Sequence, residues 1–332
     1  MLAAALIELL RRDGQRVAYC KAFTADDAAP EAAPDARFLG TLLQVASPRA
    51  GATLGPTTVR RLLEGAPFDR EAVVTAAREA GTNADTLIVE GGATLTQGLA
   101  AGVSLRDLAE ALSARVLVVA RYEGDEVVDE LLAAPTLVGQ RLLGVVVTAV
   151  PRQQWPGARE RIGAFLRARD VPFLGALPYE DRLEAVTVRQ LAEHLGGQIL
   201  NSEDHAEAVI EHVMVGTVVL GKASEYFARF PRKAVIAHGS RPDMHLAALE
   251  TDTRCLVLAG NIVPNPIVLA RAEEEQVPII MVRQDTLAVL EQVEELFPRA
   301  PFAAAANVGL AADLAAAHLD LSAVRTPAGT AS

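Results

Sequence analysis

Short β-branched runs alternate with amphipathic segments along the 332-residue chain, the pattern expected where parallel strands are joined by crossover helices. In the first half, strands are predicted at residues 16–21, 86–90, 115–120, 143–148 and 172–177. Their nearly continuous apolar character means that helices cover both faces. A second set of units runs from about residue 187 to 297, with strands near 215–219, 233–237, 255–259 and 279–282. The expected fold class is α/β.

Helix starts can be read from caps. Ser104 stands three residues before Asp107, and Thr187 three before Gln190, the spacing at which a hydroxyl and a returning side chain close a capping box. Residues 24–34 are rich in Ala, Asp and Pro without periodicity, and 47–56 are similar, so both read as surface loops. The domain boundary is expected between 179 and 186, separating a domain at 1–180 from a smaller one at 181–297. Residues 298–332 are Ala-rich and end in Thr-Pro-Ala-Gly-Thr-Ala-Ser, which predicts a flexible tail. No repeat of fixed period is visible, which argues against solenoids and propellers.

The length supports two domains of roughly 150 residues. Although 51% of residues are hydrophobic, no run approaches the ~18–20 apolar residues of a membrane span. The first residues lack a basic leader, and Arg11 and Arg12 lie on the wrong side of a short apolar stretch for a signal peptide. Cys20 and Cys255 each fall in or beside an apolar strand, where a reduced buried thiol is the ordinary state. These readings predict a cytoplasmic protein that does not bind membranes. A net charge of -11 and 4% aromatics argue against nucleic acid, which needs clustered cations and stacking surfaces.

The most specific signature is the segment 241–261, Arg-Pro-Asp-Met-His through Leu-Ala-Gly-Asn, followed by Pro264, Pro266 and Val-Pro-Ile-Ile-Met-Val at 277–282; it resembles the DRTGG family. Upstream, Val-Ala-Tyr-Cys-Lys at 17–21, Val-Glu-Gly-Gly at 89–92, Val-Leu-Val-Val-Ala-Arg-Tyr at 116–122 and Leu-Gly-Ala-Leu-Pro at 174–178 resemble a dethiobiotin-synthetase-like domain. Together they look like the regulatory modules that precede the catalytic domain of long phosphotransacetylases. The resemblance implies a P-loop NTPase-like parallel sheet followed by a smaller α/β DRTGG domain. In that family a strand and a glycine-rich P-loop come before the helix seen here at 1–12. No G-x-x-x-x-G-K-[ST] occurs in the chain, so the sheet is expected to lack its first strand and the loop whose N–H groups hold phosphates. A start assigned too late and a lineage that lost ATP binding both account for this.

The resemblance also nominates site residues. Glu90 and Asp35 correspond to acids that help hold Mg2+ beside ATP, with Asp26 and Asp27 as alternatives in the same loop; a cap and solvated loop acids are the plain readings. Lys21 corresponds to a lysine that binds phosphate or the carboxylated substrate, or is a solvated strand end. Thr148 stands where the family commonly has Asn reading adenine, a bidentate contact that threonine cannot make. In the second domain, His238, Gly239, Ser240, Arg241 and Asp243 stand at the family's signature, with Ser240 replacing its acid. A strand-to-helix turn of small residues with an arginine suits an anion, or is simply a tight turn. His238, Asp243 and His245 lack usual zinc spacing, and the His205–His212 pair reads as a helix face. No nucleophile motif is present.

Two functions are expected. The first is a non-catalytic regulator that binds a small anionic metabolite or nucleotide, as a homo-oligomer connected with acetyl-phosphate metabolism. The second is an ATP- and Mg2+-dependent carboxylate-activating ligase. Acetyltransferase activity itself would need a further domain.

Overall fold

The computed structural model describes residues 1–24, 34–43, 50–183, 186–216, 223–299 and 305–325. The chain divides into two compact units, residues 1–180 together with the C-terminal stretch from 302, and residues 181–301.

The first unit starts with α1 (Leu2–Arg12), which buries Leu2, Leu6, Ile7, Leu9 and Leu10 and carries Arg11 and Arg12 in its last turn, where cations favour the helix dipole. There follow β1 (Val17–Thr24), α2 (Pro34–Leu43), β2 (Ala50–Thr53), α3 (Pro56–Leu63), α4 (Arg70–Ala80), β3 (Thr86–Glu90), α5 (Leu105–Ala111), β4 (Val116–Arg121), α6 (Val127–Val138), β5 (Leu142–Val150), α7 (Trp155–Arg167) and β6 (Phe173–Pro178). All strand pairs are parallel. They form two three-stranded sheets, β2-β1-β3 and β4-β5-β6. No ladder joins β3 to β4 among the described residues. The two edges show it: β3 is half-buried along its whole length, and Val119 of β4 is 44% exposed. By contrast Val145, Val146 and Val147 of the central β5 are fully buried.

One expected loop is a strand. Residues 25–33 and 44–49 lie outside the described residues, but 50–53 pair with β1 as β2. The short Ala-Gly-Ala-Thr segment has no apolar run to announce it. Gly51 permits the pairing, because a Cβ there would lie 2.0 Å from the Ala22 carbonyl oxygen.

The second unit opens with β7 (Val186–Thr187) and α8 (Val188–Leu195), then β8 (Gln198–Ile199), β9 (Val209–Ile210), β10 (His212–Val215), α9 (Ala223–Phe227), β11 (Lys233–His238), α10 (Pro242–Leu249), β12 (Thr253–Ala259), α11 (Pro266–Glu274), β13 (Ile279–Met281) and α12 (Thr286–Arg299). Its main sheet has the order β10-β11-β12-β13-β8, parallel except for β8. The period of two distributes its side chains between two cores. Ala234, Ile236, Cys255, Val257 and Ala259 pack with residues of α8 and α12; Val235, Ala237, Leu256 and Leu258 pack with α9, α10 and α11. The strand expected at 215–219 runs instead over His212–Val215, and residues 217–222 lie outside the described residues. Both expected capping boxes are present, at Ser104 and Thr187.

The expected flexible tail needs correction. Of its residues, 305–325 form α13 (Ala305–His318) and α14 (Ser322–Arg325). Ala311, Ala312, Ala315, Leu319 and Leu321 are buried, and Arg12 bridges to Asp313 at 2.7 Å and Arg325 to Asp13 at 3.1 Å. The Asp320 N–H donates to the Leu174 carbonyl, extending the contact to β6. Alanine is the best helix former and loses no side-chain entropy, so an Ala-rich segment orders once a partner helix accepts its small face. Among the described residues no helix is long and apolar enough to cross a membrane.

Candidate functional site

Parallel pairing of β1 with β3 sets Lys21, three residues before the end of β1, opposite Glu90 at the C-terminal end of β3, the side on which α/β sheets bind ligands. The Lys21 ammonium lies 3.7 Å from Glu90 Oε1, and the Tyr19 hydroxyl donates to Glu90 Oε2 at 2.5 Å. Lys21 and Glu90, nominated separately from sequence, are thus one ion pair with a phenol attached. Tyr19 escaped the sequence reading, although its spacing of two from Lys21 puts it on the same strand face.

Of the acids nominated for Mg2+, Glu90 is the one whose side chain is described, and it is held by Tyr19 and Lys21; beside a nucleotide, Mg2+ takes one or two carboxylates together with phosphate and water oxygens. No group of three or more His, Cys, Asp or Glu able to hold a metal occurs among the described residues. Asp35 lies on α2, but its side chain is outside the described residues, as are Asp26 and Asp27.

Thr148 is buried on β5, and its hydroxyl donates to the Ala120 carbonyl at 3.3 Å. The hydroxyl nominated for a nucleotide is therefore engaged inside the sheet. Just beyond, Tyr122 donates to Asp125 at 2.9 Å and Arg161 reaches the same carboxylate at 2.8 Å. The Arg161 and Tyr122 hydrogen bonds hold the Asp125 carboxyl below its ordinary range.

In the second unit the turn after β11 brings its nominated residues together. His238 Nδ1 lies 2.7 Å from Ser240 Oγ. Gly239 is required by close approach, since a Cβ there would stand 2.7 Å from Ile262 Cβ. Arg241 donates to both oxygens of Asp243, at 2.9 and 2.8 Å; this fork lowers the Asp243 carboxyl and takes up the charge expected to meet an anion. His245 on α10 is fully buried. Its Nε2 donates to the His238 carbonyl at 3.1 Å, its Nδ1 has no partner among the described residues, and burial pushes its pKa below the usual imidazole value.

A further cavity of about 420 Å³ lies beside this turn, at the ends of β12 and β13, and is lined by Gln198, Asn261, Met281, Arg283 and Gln284 together with the end of α8. The sequence reading missed these residues. The available signal was the Gly260-Asn261 pair closing a buried strand, a sequence suited to positive φ; φ is +90° at Gly260 and +54° at Asn261.

Comparison with known proteins agrees with these two units. An AAA domain model matches residues 1–187, and a DRTGG domain model matches 190–296. Phosphate acetyltransferase of Pseudomonas putida is 24% identical over 355 aligned positions, covering 99% of this chain and 50% of that protein. The Pseudomonas aeruginosa phosphate acetyltransferase is 25% identical over 222, covering 61% and 31%. The chain thus spans half or less of these relatives. The ATP-dependent dethiobiotin synthetase BioD of Saccharopolyspora erythraea is 34% identical over 171 residues, covering 49% of this chain and 75% of that enzyme. Among solved structures, the CBS and DRTGG domains of the regulatory region of Clostridium perfringens pyrophosphatase, complexed with the activator diadenosine tetraphosphate, match with a TM-score of 0.32 and 11% identity over 43% of this chain and 70% of that one. With the AAA domain model covering more than half of its residues and a DRTGG domain following, the chain belongs to the dethiobiotin-synthetase-like AAA family.

Proposed function

We propose that this chain is a regulatory, ligand-sensing protein that binds a small anionic metabolite or nucleotide and does not turn it over. The observation that carries this reading is the state of Glu90. An ATP-activating ligase of this family needs that carboxylate available for magnesium. Here the carboxylate is the counter-ion of Lys21 and the acceptor for Tyr19. The engaged Thr148 hydroxyl supports the same view. The similarity to phosphate acetyltransferase over nearly the whole chain connects the sensing role with acetyl-phosphate metabolism, exerted through a homo-oligomer or a partner enzyme.

The 34% identity to dethiobiotin synthetase favours a second reading, an ATP-dependent carboxylate-activating ligase. Phosphate release from Mg-ATP separates the two. The sensor reading expects the rate to stay at the protein-free blank; release proportional to protein concentration would replace it with the ligase.

A further inference from the structure

We infer that the anion site of the second unit is the crevice between Asn261 and Arg283, not the signature turn at residues 238–243, and that it takes a phosphorylated or carboxylated small molecule up to the size of a nucleotide. This rests on the sensor reading above and gives it an address.

The charge that the turn offers is already used, because Asp243 accepts the Arg241 fork with both oxygens. Arg283 differs. It is exposed immediately beyond β13 and makes no ion pair or side-chain hydrogen bond among the described residues. The side chains of Asn261 and Gln198, supplied by two other segments of the same cavity, are likewise free of protein partners among the described residues. No carboxylate lines the cavity among the described residues; the nearest acid in sequence, Asp285, instead accepts the Ala288 N–H at 2.9 Å and caps α12. One guanidinium with two amides and no acid selects an anion with several acceptor oxygens, which a guanidinium fork binds in bidentate fashion.

The walls are fixed in advance. The Gly260 N–H donates to the Gln284 carbonyl and the Asn261 N–H to the Val282 carbonyl, both at 2.8 Å, which laces the two loops together. Gln284 Nε2 donates to the Leu195 carbonyl at 3.0 Å and ties in the end of α8. On the remaining side, β8 sets Gln198 opposite Met281. The volume of about 420 Å³ falls in the range of small-molecule sites, roughly 300–1,000 Å³.

Calorimetric titration of the whole chain with AMP, acetyl phosphate and inorganic phosphate tests the site and distinguishes its ligands. Arg283→Gln should weaken the binding ligand tenfold or more, as expected for a lost charge-assisted hydrogen bond. Asn261→Gly, which accepts the positive φ without strain, should weaken it several-fold. Arg254→Gln, near the opposite end of β12, should stay within twofold, and melting curves of all three should match wild type. Wild-type affinity in Arg283→Gln, or loss of binding in Arg241→Gln alone, would overturn the site and leave the sensor reading standing. No heat from any of the three with the wild-type chain would remove the site, while the sensor reading would still stand or fall on its own wider set of ligands.

Discussion

Asn201→Ala should be among the costliest single changes in the second unit. The side chain sits just after β8, nearly buried, and serves the entry to β13: Nδ2 donates to the Val277 carbonyl at 3.0 Å and Oδ1 accepts the Ile279 N–H at 2.9 Å. Pro278 between them has no N–H of its own. Alanine leaves a buried donor and a buried acceptor without partners, at about 1–3 kcal/mol each, so the loss should be about 3 kcal/mol. Asn201 also donates to Ser202 Oγ, and Ser202→Ala, which keeps both backbone contacts, should cost less than about 1 kcal/mol. Urea unfolding followed by circular dichroism gives both values, and hydrogen exchange should show the Ile279 amide losing protection in Asn201→Ala alone. A loss below about 1 kcal/mol, or an unchanged Ile279 amide, would refute the assignment of Asn201 as the anchor of this strand.

Three further outcomes are expected. His245 is held below its ordinary pKa of 6.5 by burial, so the unfolded chain takes up its proton first; stability is full above about pH 6.5 and falls as the pH drops toward the folded-state value. His245→Leu should flatten that part of the acid slope in urea midpoints measured between pH 7.5 and 5.5, and an unchanged slope would remove the histidine from the account. Burial raises the thiol of Cys20 to about 11 and that of Cys255 still further, so a disulfide-exchange reagent should titrate neither thiol in the native chain and both in urea; rapid native labelling would contradict their burial. Gly51→Ala should destabilise the first unit by about 1–3 kcal/mol, the cost of forcing extra volume into a packed contact, and a neutral effect in thermal melts would mean that β2 does not pair as described.

The sequence was most legible where one local rule decides the structure. Ser104 and Thr187 announced their helices because a capping box is a three-residue pattern. Strand β3 was predicted to the residue, and β11 and β12 to within two, because short apolar runs with β-branched residues carry their own signal. The misses depend on partners distant in sequence. Strand β2 exists through the fit of Gly51 against Ala22. Helix α13 is ordered by α1, some 300 residues earlier in the chain, a contact that includes the Arg12–Asp313 pair. The candidate sites divide the same way. Lys21 and Glu90 could each be nominated from a strand end, but their union with Tyr19 needed the register of β1 on β3. The Arg241–Asp243 fork spans two residues, yet nothing in the residue order shows that the arginine is engaged. Asn261, Arg283 and Gln198 come from three segments, and only the stacking of β12, β13 and β8 brings them to one cavity.

The central claim is that the chain binds a small anion and leaves it intact. The most direct measurement is calorimetric titration of the chain with ATP, acetyl phosphate, NADH and pyruvate, followed by quantification of each recovered compound. The account predicts saturable binding of at least one, recovered unchanged. Absence of binding by all four, or conversion of the bound compound, would contradict it.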